Sequence, residues 1–266
     1  MVDLEIQDGL AVITIDRPHA RNAIAPETMD QLDLALDRAA GALALVIRGG
    51  GDRAFVSGGD LKELAKLRTE EQAAEMARRM RSICDRIAAF PAPVVAALNG
   101  HALGGGAEVA VAADIRIAAD DIRIGFNQVS LEIMPAWGGA ERLAALVGRG
   151  RALMLAGSGT ILTAEEAHRF GLVDRVLPRA AFDAVDGGWR SIAQSLTHRA
   201  AADIKRVMGG VAAEEAIALF ARLWVSDEHW AAADKVMDAR RGRCGACAAE
   251  EPAQPTPPVT MRRVRR

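Results

Sequence analysis

The sequence predicts an α/β protein, and three observations carry that expectation. Apolar runs of strand length alternate with stretches of helical period as far as about residue 195. Glycine and proline clusters punctuate the boundaries between them. Half of the 266 residues are hydrophobic, enough for a sizeable core in one large domain with at most a small appendage.

The elements follow in order. Leu4 and Ile6, then Leu10 to Ile15, read as two strands joined at Asp8-Gly9, a dipeptide suited to a hairpin turn. Asp16-Arg17-Pro18 ends the second strand. Met29, Leu32, Leu36 and Ala39 recur at helical spacing between Pro26 and Ala40, and Gly41 closes that helix. Leu43 to Ile47 is a short strand stopped by Gly49-Gly50-Gly51. A glycine-containing turn lies in AFVSGGDLKEL, Ala54 to Leu64. Thr69 to Ala89 predicts a long helix with Met76, Met80, Ile83 and Ile87 on one face, ended by Pro91 and Pro93. The strand PVVAALNG then leads into HALGGGAEVAVAAD, followed by short strands at Ile115 to Ala118 and Ile122 to Phe126. Pro135 and Gly138-Gly139 open a helix over Ala140 to Val147, and further helices fit Ala152 to Leu155 and Ala164 to Phe170. From Leu196 to about Arg241 the pattern is helical, with an apolar stripe of Ile217, Phe220, Leu223 and Trp224 that suits packing or subunit contact.

Composition narrows the function classes. With 33 basic and 35 acidic residues the net charge is −2, so no global field favours nucleic acid or a membrane surface. The N-terminal residues lack the basic and apolar regions of a signal peptide, and no uncharged apolar run is long enough to span a bilayer. Three cysteines, Cys84, Cys244 and Cys247, argue against a disulfide framework and for a reducing compartment. Cys244 and Cys247 form a lone CxxC, too few ligands for a metal site. Beyond Arg243 the stretch EPAQPTPP and the terminal MRRVRR read as a solvated tail.

The chemistry-bearing feature is LGGGAE, which starts a helix with glycines and places Glu108 in its first turn. Glycine lets a backbone amide approach a ligand with no Cβ in the way. The first amides of a helix have no intrahelical acceptor and carry the positive end of the dipole. Such a turn suits a phosphate or a developing oxyanion. There is no GxxxxGK[ST], and GGGAEV misses GxGxxG at Val109. A first-turn carboxylate would repel phosphate, yet it could handle protons beside a carbonyl that becomes anionic. The competing reading, close packing of strand and helix, stays open. No GxSxG surrounds Ser57, and none of the five histidines forms an HExxH pair, although His101 adjoins the turn.

Five segments in order, DRPHARNAI, AFVSGGDLKEL, NGHALGGGAEVAVAADIRIA, IMPAWGGAERL and LTAEEAHRFGLVDRVLP, resemble the enoyl-CoA hydratase/isomerase (crotonase) superfamily over about residues 1–243. The resemblance implies a spiral of ββα units over residues 1–195, a helical oligomerisation region over 196–243 and a disordered tail over 244–266. It implies a cytoplasmic trimer or hexamer acting on acyl-CoA thioesters of fatty-acid type. The thioester oxygen would be held by the amides of Gly59 and Gly105, with Glu108 as the acid/base. Arg21, Ala23, Gly59, Asp60, Leu61, Lys62 and Gly105 would hold the CoA portion. No metal or redox cofactor is implied, since coenzyme A arrives with the substrate.

One position departs from the family pattern. The second hydratase glutamate should lie seven residues before Pro135, where this chain has Gln128. An amide can hydrogen-bond water but transfers no proton near neutrality. Glu132 stands nearby and is expected at the surface. Three readings therefore remain: a hydratase-like lyase working with Glu108, a decarboxylase of a malonyl-type CoA, and a non-catalytic acyl-CoA binder.

Overall fold

Asp8 and Gly9 both adopt positive φ, 48° and 79°, which twists the connecting turn to match the strands on either side. β1 (Val2–Gln7) and β2 (Leu10–Ile15) therefore pair antiparallel, with Val2 opposite Ile15 and Gln7 opposite Leu10. The computed structural model describes residues 1–247, with side chains to residue 238. The remaining strands are β3 (Ala44–Gly49), β4 (Ala54–Val56), β5 (Val94–Leu98), β6 (His101–Leu103), β7 (Ile115–Ala119), β8 (Arg123–Gly125), β9 (Ile161–Thr163) and β10 (Arg175–Leu177).

Two strands and a helical segment recur along the chain, as the resemblance implies. β1 and β2 precede helix Pro26–Arg38; β3 and β4 precede helices Leu61–Leu64 and Glu70–Ala88. β5 and β6 precede helix Gly105–Ala110; β7 and β8 precede the 3₁₀ turn Asn127–Leu131 and helix Gly139–Val147. Among the described residues the strands form two sheets, in the orders β1-β2-β3-β5-β7-β10 and β4-β6-β8-β9. From the second unit onward, each repeat gives its first strand to the large sheet and its second to the small one. The pairings β2–β3–β5–β7 are parallel, which is why these strands read as continuous apolar runs rather than alternating ones.

The core lies between the large sheet and its helices. Leu45, Val94, Val95 and Leu98 are fully buried and share one apolar cluster with Met29, Leu32, Met80, Ile83 and Ile87. Helix Glu70–Ala88 starts with a capping box in which Thr69 and Gln72 satisfy each other's backbone N–H groups. Cys84 is free and wholly buried, and burial pushes its thiol up to about 12, so it packs as an inert apolar group.

Met1–Gly210 forms one compact unit, and a second begins at Val211. Helix Arg199–Met208, beyond the expected core boundary at residue 195, belongs with the first: Lys205 donates to Asp114 at 2.7 Å and to the Ala92 carbonyl at 3.2 Å. The second unit carries helices Ala213–Trp224 and Asp227–Cys247. Within it the Trp224 ring meets Phe220 and His229 at a tilt and Trp230 edge-on, at centroid distances of 5.7, 4.7 and 5.6 Å, while Ile217, Phe220, Trp224 and Trp230 stay exposed. Its last helix reaches Cys247, past the Arg243 boundary expected for the tail. The cysteine pair's side chains and the remaining tail lie outside the described residues.

Candidate active site

The small sheet positions the site. β4 and β6 pair in parallel, Ala54 with His101 and Val56 with Ala102, so their C-terminal ends deliver the turns Ser57-Gly58-Gly59 and Gly104-Gly105 side by side. A Cβ built on Gly58 would lie 3.3 Å from the Gly105 nitrogen. Gly106 is tighter still: a Cβ there would stand 1.7 Å from the Val56 carbonyl oxygen, so only glycine lets this helix start press against β4. Gly104 takes φ +55°, a backbone region that glycine enters without strain.

The expected oxyanion donors are unspent. An isolated bridge joins Ile24 to Gly59: Ile24 N–H donates to the Gly58 carbonyl and Asp60 N–H to the Ile24 carbonyl, both at 2.8 Å. That pattern uses the groups on either side of Gly59 and leaves its own N–H without an acceptor. Gly105 is the first residue of helix Gly105–Ala110, so its N–H has no intrahelical acceptor, and none is supplied by another described residue. The Trp137 indole lies against both turns, 3.8 Å from a Cβ placed on Gly59 and 2.2 Å from one placed on Gly105.

Glu108 is 2 % exposed. Its Oε2 accepts from Trp137 N–H at 2.7 Å and Gly139 N–H at 3.0 Å, at the N-terminus of helix Gly139–Val147. Its Oε1 accepts only from Gln128 Nε2, at 2.9 Å. A carboxylate offers about four lone-pair sites. The three hydrogen bonds fall unevenly, two on Oε2 and one on Oε1. Burial raises the Glu108 pKa above the ordinary carboxylate value. The amides of Gly139 and Trp137, the Gln128 side chain and the Ala136 amide pull it back without cancelling the rise. A buried carboxyl group of raised pKa is suited to accept and return a proton.

Of the other expected residues, Ala23 is buried in the loop before the bridge, and its carbonyl accepts from the Arg17 guanidinium. Asp60 caps helix Leu61–Leu64 by accepting from Lys62 N–H, and its other oxygen pairs with Arg17 at 3.0 Å. Its carboxylate is thus occupied in fixing the turn. Leu61 and Lys62 are exposed at the mouth of that turn. Arg21 is exposed and lines a cavity of about 540 Å³ with Arg53, Ser57, His101 and Arg179. His101 is exposed, and its Nδ1 accepts from Arg123 N–H at 3.1 Å; Glu132 is exposed in a left-handed conformation, as expected for a surface residue.

Two contributors escaped sequence reasoning. Trp137 supplies a main-chain N–H to Glu108 and a ring to both glycine turns. Asn22, fully buried, donates to the carbonyls of Gly50 and Ala54 and accepts from Arg17 N–H, fastening the 17–25 loop to β4. An asparagine just before an apolar Ala-Ile pair was the signal available for it, since asparagine tolerates the positive φ the structure shows there. Among the described residues no cluster of His, Cys, Asp and Glu is arranged to hold a metal, and no helix is long and apolar enough to cross a membrane.

Known proteins resemble this chain. The family model for enoyl-CoA hydratase/isomerase matches residues 5–242. A crotonyl-CoA hydratase of Syntrophomonas wolfei is 40% identical over 178 residues, 65% of this chain and 68% of that protein. A short-chain-enoyl-CoA hydratase of Clostridium acetobutylicum is 38% identical over 179 residues, 66% of this chain and 68% of that one. The crystal structure of enoyl-CoA hydratase from Thermoplasma volcanium superposes with a TM-score of 0.77 at 34% identity, covering 88% of this chain and 96% of that one. With the spiral of repeats, the paired glycine turns and the buried glutamate in place, the chain belongs to the enoyl-CoA hydratase/isomerase family.

Proposed function

We propose that the protein hydrates a 2-enoyl-CoA thioester using Glu108 as its only proton-transferring side chain. The observation that carries this reading is the buried Glu108 carboxylate, which lies in the short helix opened by the unspent Gly105 N–H and whose Oε1 accepts from Gln128. The thioester carbonyl accepts from Gly59 and Gly105 N–H. Water adds through its oxygen to the β carbon while Oε1 takes one of its protons. The electron pair of the carbon–carbon double bond moves onto the thioester oxygen as an enolate, which the two amides stabilise; one donor of this kind contributes about 3–4 kcal/mol. The enolate's electron pair then returns to the α carbon, which takes the proton back from Glu108 as the thioester carbonyl re-forms; one O–H bond and the carbon–carbon π bond break, and one C–O and one C–H bond form. No metal or redox group enters these steps.

Arg21 and Arg53 suit the phosphates of the CoA portion, whereas the Arg179 guanidinium at the same cavity is held by Asp121 and the Asn99 carbonyl. The apolar groove of about 400 Å³ between Met29, Leu64, Leu67 and Met76 suits an acyl chain leading away from Gly59, which Leu64 adjoins. The test is loss of the crotonyl-CoA enoyl absorbance on adding the purified protein. Hydration that disappears in Glu108→Gln supports the reading; carbon dioxide release from a malonyl-type CoA without hydration overturns it in favour of decarboxylation. The exposed stripe of Ile217, Phe220, Trp224 and Trp230 further supports self-association as a homotrimer or homohexamer. Light scattering should give three or six times the 28.2 kDa chain mass, and a monomer would refute it.

A further inference from the structure

Two main-chain N–H groups of one short segment grip Glu108 Oε2, those of Trp137 and Gly139. The residue between them, Gly138, takes φ +87° and has no side chain with which to anchor the segment. Arg142, in the first turn of helix Gly139–Val147, supplies the anchor. Its Nη1 donates to the Trp137 carbonyl at 3.2 Å, and a Cβ built on Gly138 would stand 2.3 Å from the same nitrogen. Its Nη2 donates to the Asp85 carboxylate on helix Glu70–Ala88. The guanidinium therefore links that helix to the main chain that grips Glu108. Arg142 is half-buried and Asp85 exposed, so the ion pair itself contributes little to stability.

We infer that Arg142, held by Asp85, is a positioning residue for hydration: it fixes the Trp137–Gly139 main chain and thereby sets the Glu108 oxygens against the acyl group. Arg142 pairs with Asp85 and not with Glu108, so it acts through the peptide groups between them. A planar fork suits this task, since two directed N–H groups serve acceptors on two different segments. Misplacing a reacting group by about 1 Å can cost about 10²-fold in rate, which sets the scale of the effect. The inference rests on the hydratase reading and names what keeps its proton-transferring group in register.

The charged groups around Glu108 give positioning and simple electrostatics opposite signatures. Helix Glu70–Ala88 brings Arg81 and Asp85 together with the Cys84 thiol. Helix Gly139–Val147 brings Arg142 and Glu141, which accepts from Arg81 at 2.8 Å. The helix that carries Glu108, the 3₁₀ turn Asn127–Leu131 and β4 have no other ionisable group, and β6 has only the exposed His101. Removing Asp85 deletes a negative charge, which by Coulomb's law alone would lower the Glu108 pKa. Freeing Arg142 instead loosens the Trp137 and Gly139 amides, whose hydrogen bonds favour the ionised form, so the pKa would rise.

The test measures kcat, KM and the pH dependence of kcat/KM on crotonyl-CoA for full-length wild type, Arg142→Met and Asp85→Ala. Arg142→Met should lower kcat about 10²-fold with KM nearly unchanged, since the Gly59 and Gly105 amides are untouched. Asp85→Ala should lower kcat about tenfold, keep Tm close to wild type and shift the acid limb of the profile to higher pH. Because Asp85 is exposed, this variant reads the inference even where Arg142→Met does not fold. A folded Arg142→Met enzyme with wild-type kcat overturns the inference. So does an Asp85→Ala enzyme whose acid limb stays in place or moves to lower pH. Those results leave the hydratase reading standing, whereas a wild type that binds crotonyl-CoA without hydrating it overturns both.

Discussion

Replacing Glu108 with glutamine should lower the hydration rate about 10²–10⁴-fold, the usual contribution of a positioned acid/base group. The fold should survive. A glutamine carbonyl at position 108 can accept from Trp137 and Gly139 N–H as Oε2 does now. Its NH₂ group can donate to Gln128 Oε1, the acceptor without a partner in the wild type, once the Gln128 amide turns over. Stability should even rise near neutral pH. The Glu108 pKa is raised in the folded protein, chiefly by burial, so the native state binds the proton more tightly than the unfolded chain. The stabilisation from that proton is full below the ordinary value of 4.5 and is lost as pH climbs through the raised folded value. Glu108→Gln is spared that loss. Denaturant melts at several pH values should show the variant ahead of wild type at neutrality and level with it below pH 4.5. A variant less stable at neutrality would contradict the sign, and one of unchanged activity would remove Glu108 from the chemistry.

Substituting Gly106 with alanine should damage the protein through packing alone. The new methyl would be built 1.7 Å from the Val56 carbonyl oxygen, a main-chain atom held in β4 by pairing with β6, with no flexible side chain to yield. Helix Gly105–Ala110 would have to retreat from β4. Overpacking of this severity costs on the order of 3 kcal/mol, or a fall in Tm of roughly 6–12 °C for a domain of this size. The retreat also separates the Gly59 turn from the Gly105 turn, so the surviving folded protein should lose most of its activity. Thermal unfolding followed by calorimetry, with crotonyl-CoA turnover at a temperature where the variant is folded, measures both effects. A variant as stable and as active as wild type would show that the close approach of the two turns is dispensable.

What the sequence could disclose depended on how local each signal was. The β1–β2 hairpin, helix Pro26–Arg38 and helix Glu70–Ala88 have strong periodicity and local caps, and each appears within one or two residues of its expected bounds. The small sheet was illegible as a sheet. β4, β6 and β8 are three residues each, too short for a period to emerge, and their pairing spans dozens of residues. The glycine turns, by contrast, were visible because backbone conformation restricts the residue type. Gln128 could be named by its spacing from Pro135, but its contact with Glu108 could not, since two segments of the chain meet only in the folded state. Trp137 acts through its main-chain N–H, which every residue other than proline carries, so its side chain gave no hint of that hydrogen bond.

A crystal structure of the protein with a saturated acyl-CoA, which has no double bond to hydrate, would test the central claim most directly. The proposed geometry predicts the thioester oxygen within about 3.2 Å of both the Gly59 and Gly105 nitrogens, with the acyl β carbon facing Glu108 Oε1. A thioester oxygen bonded to neither nitrogen, with the Trp137 ring standing between them, would contradict it.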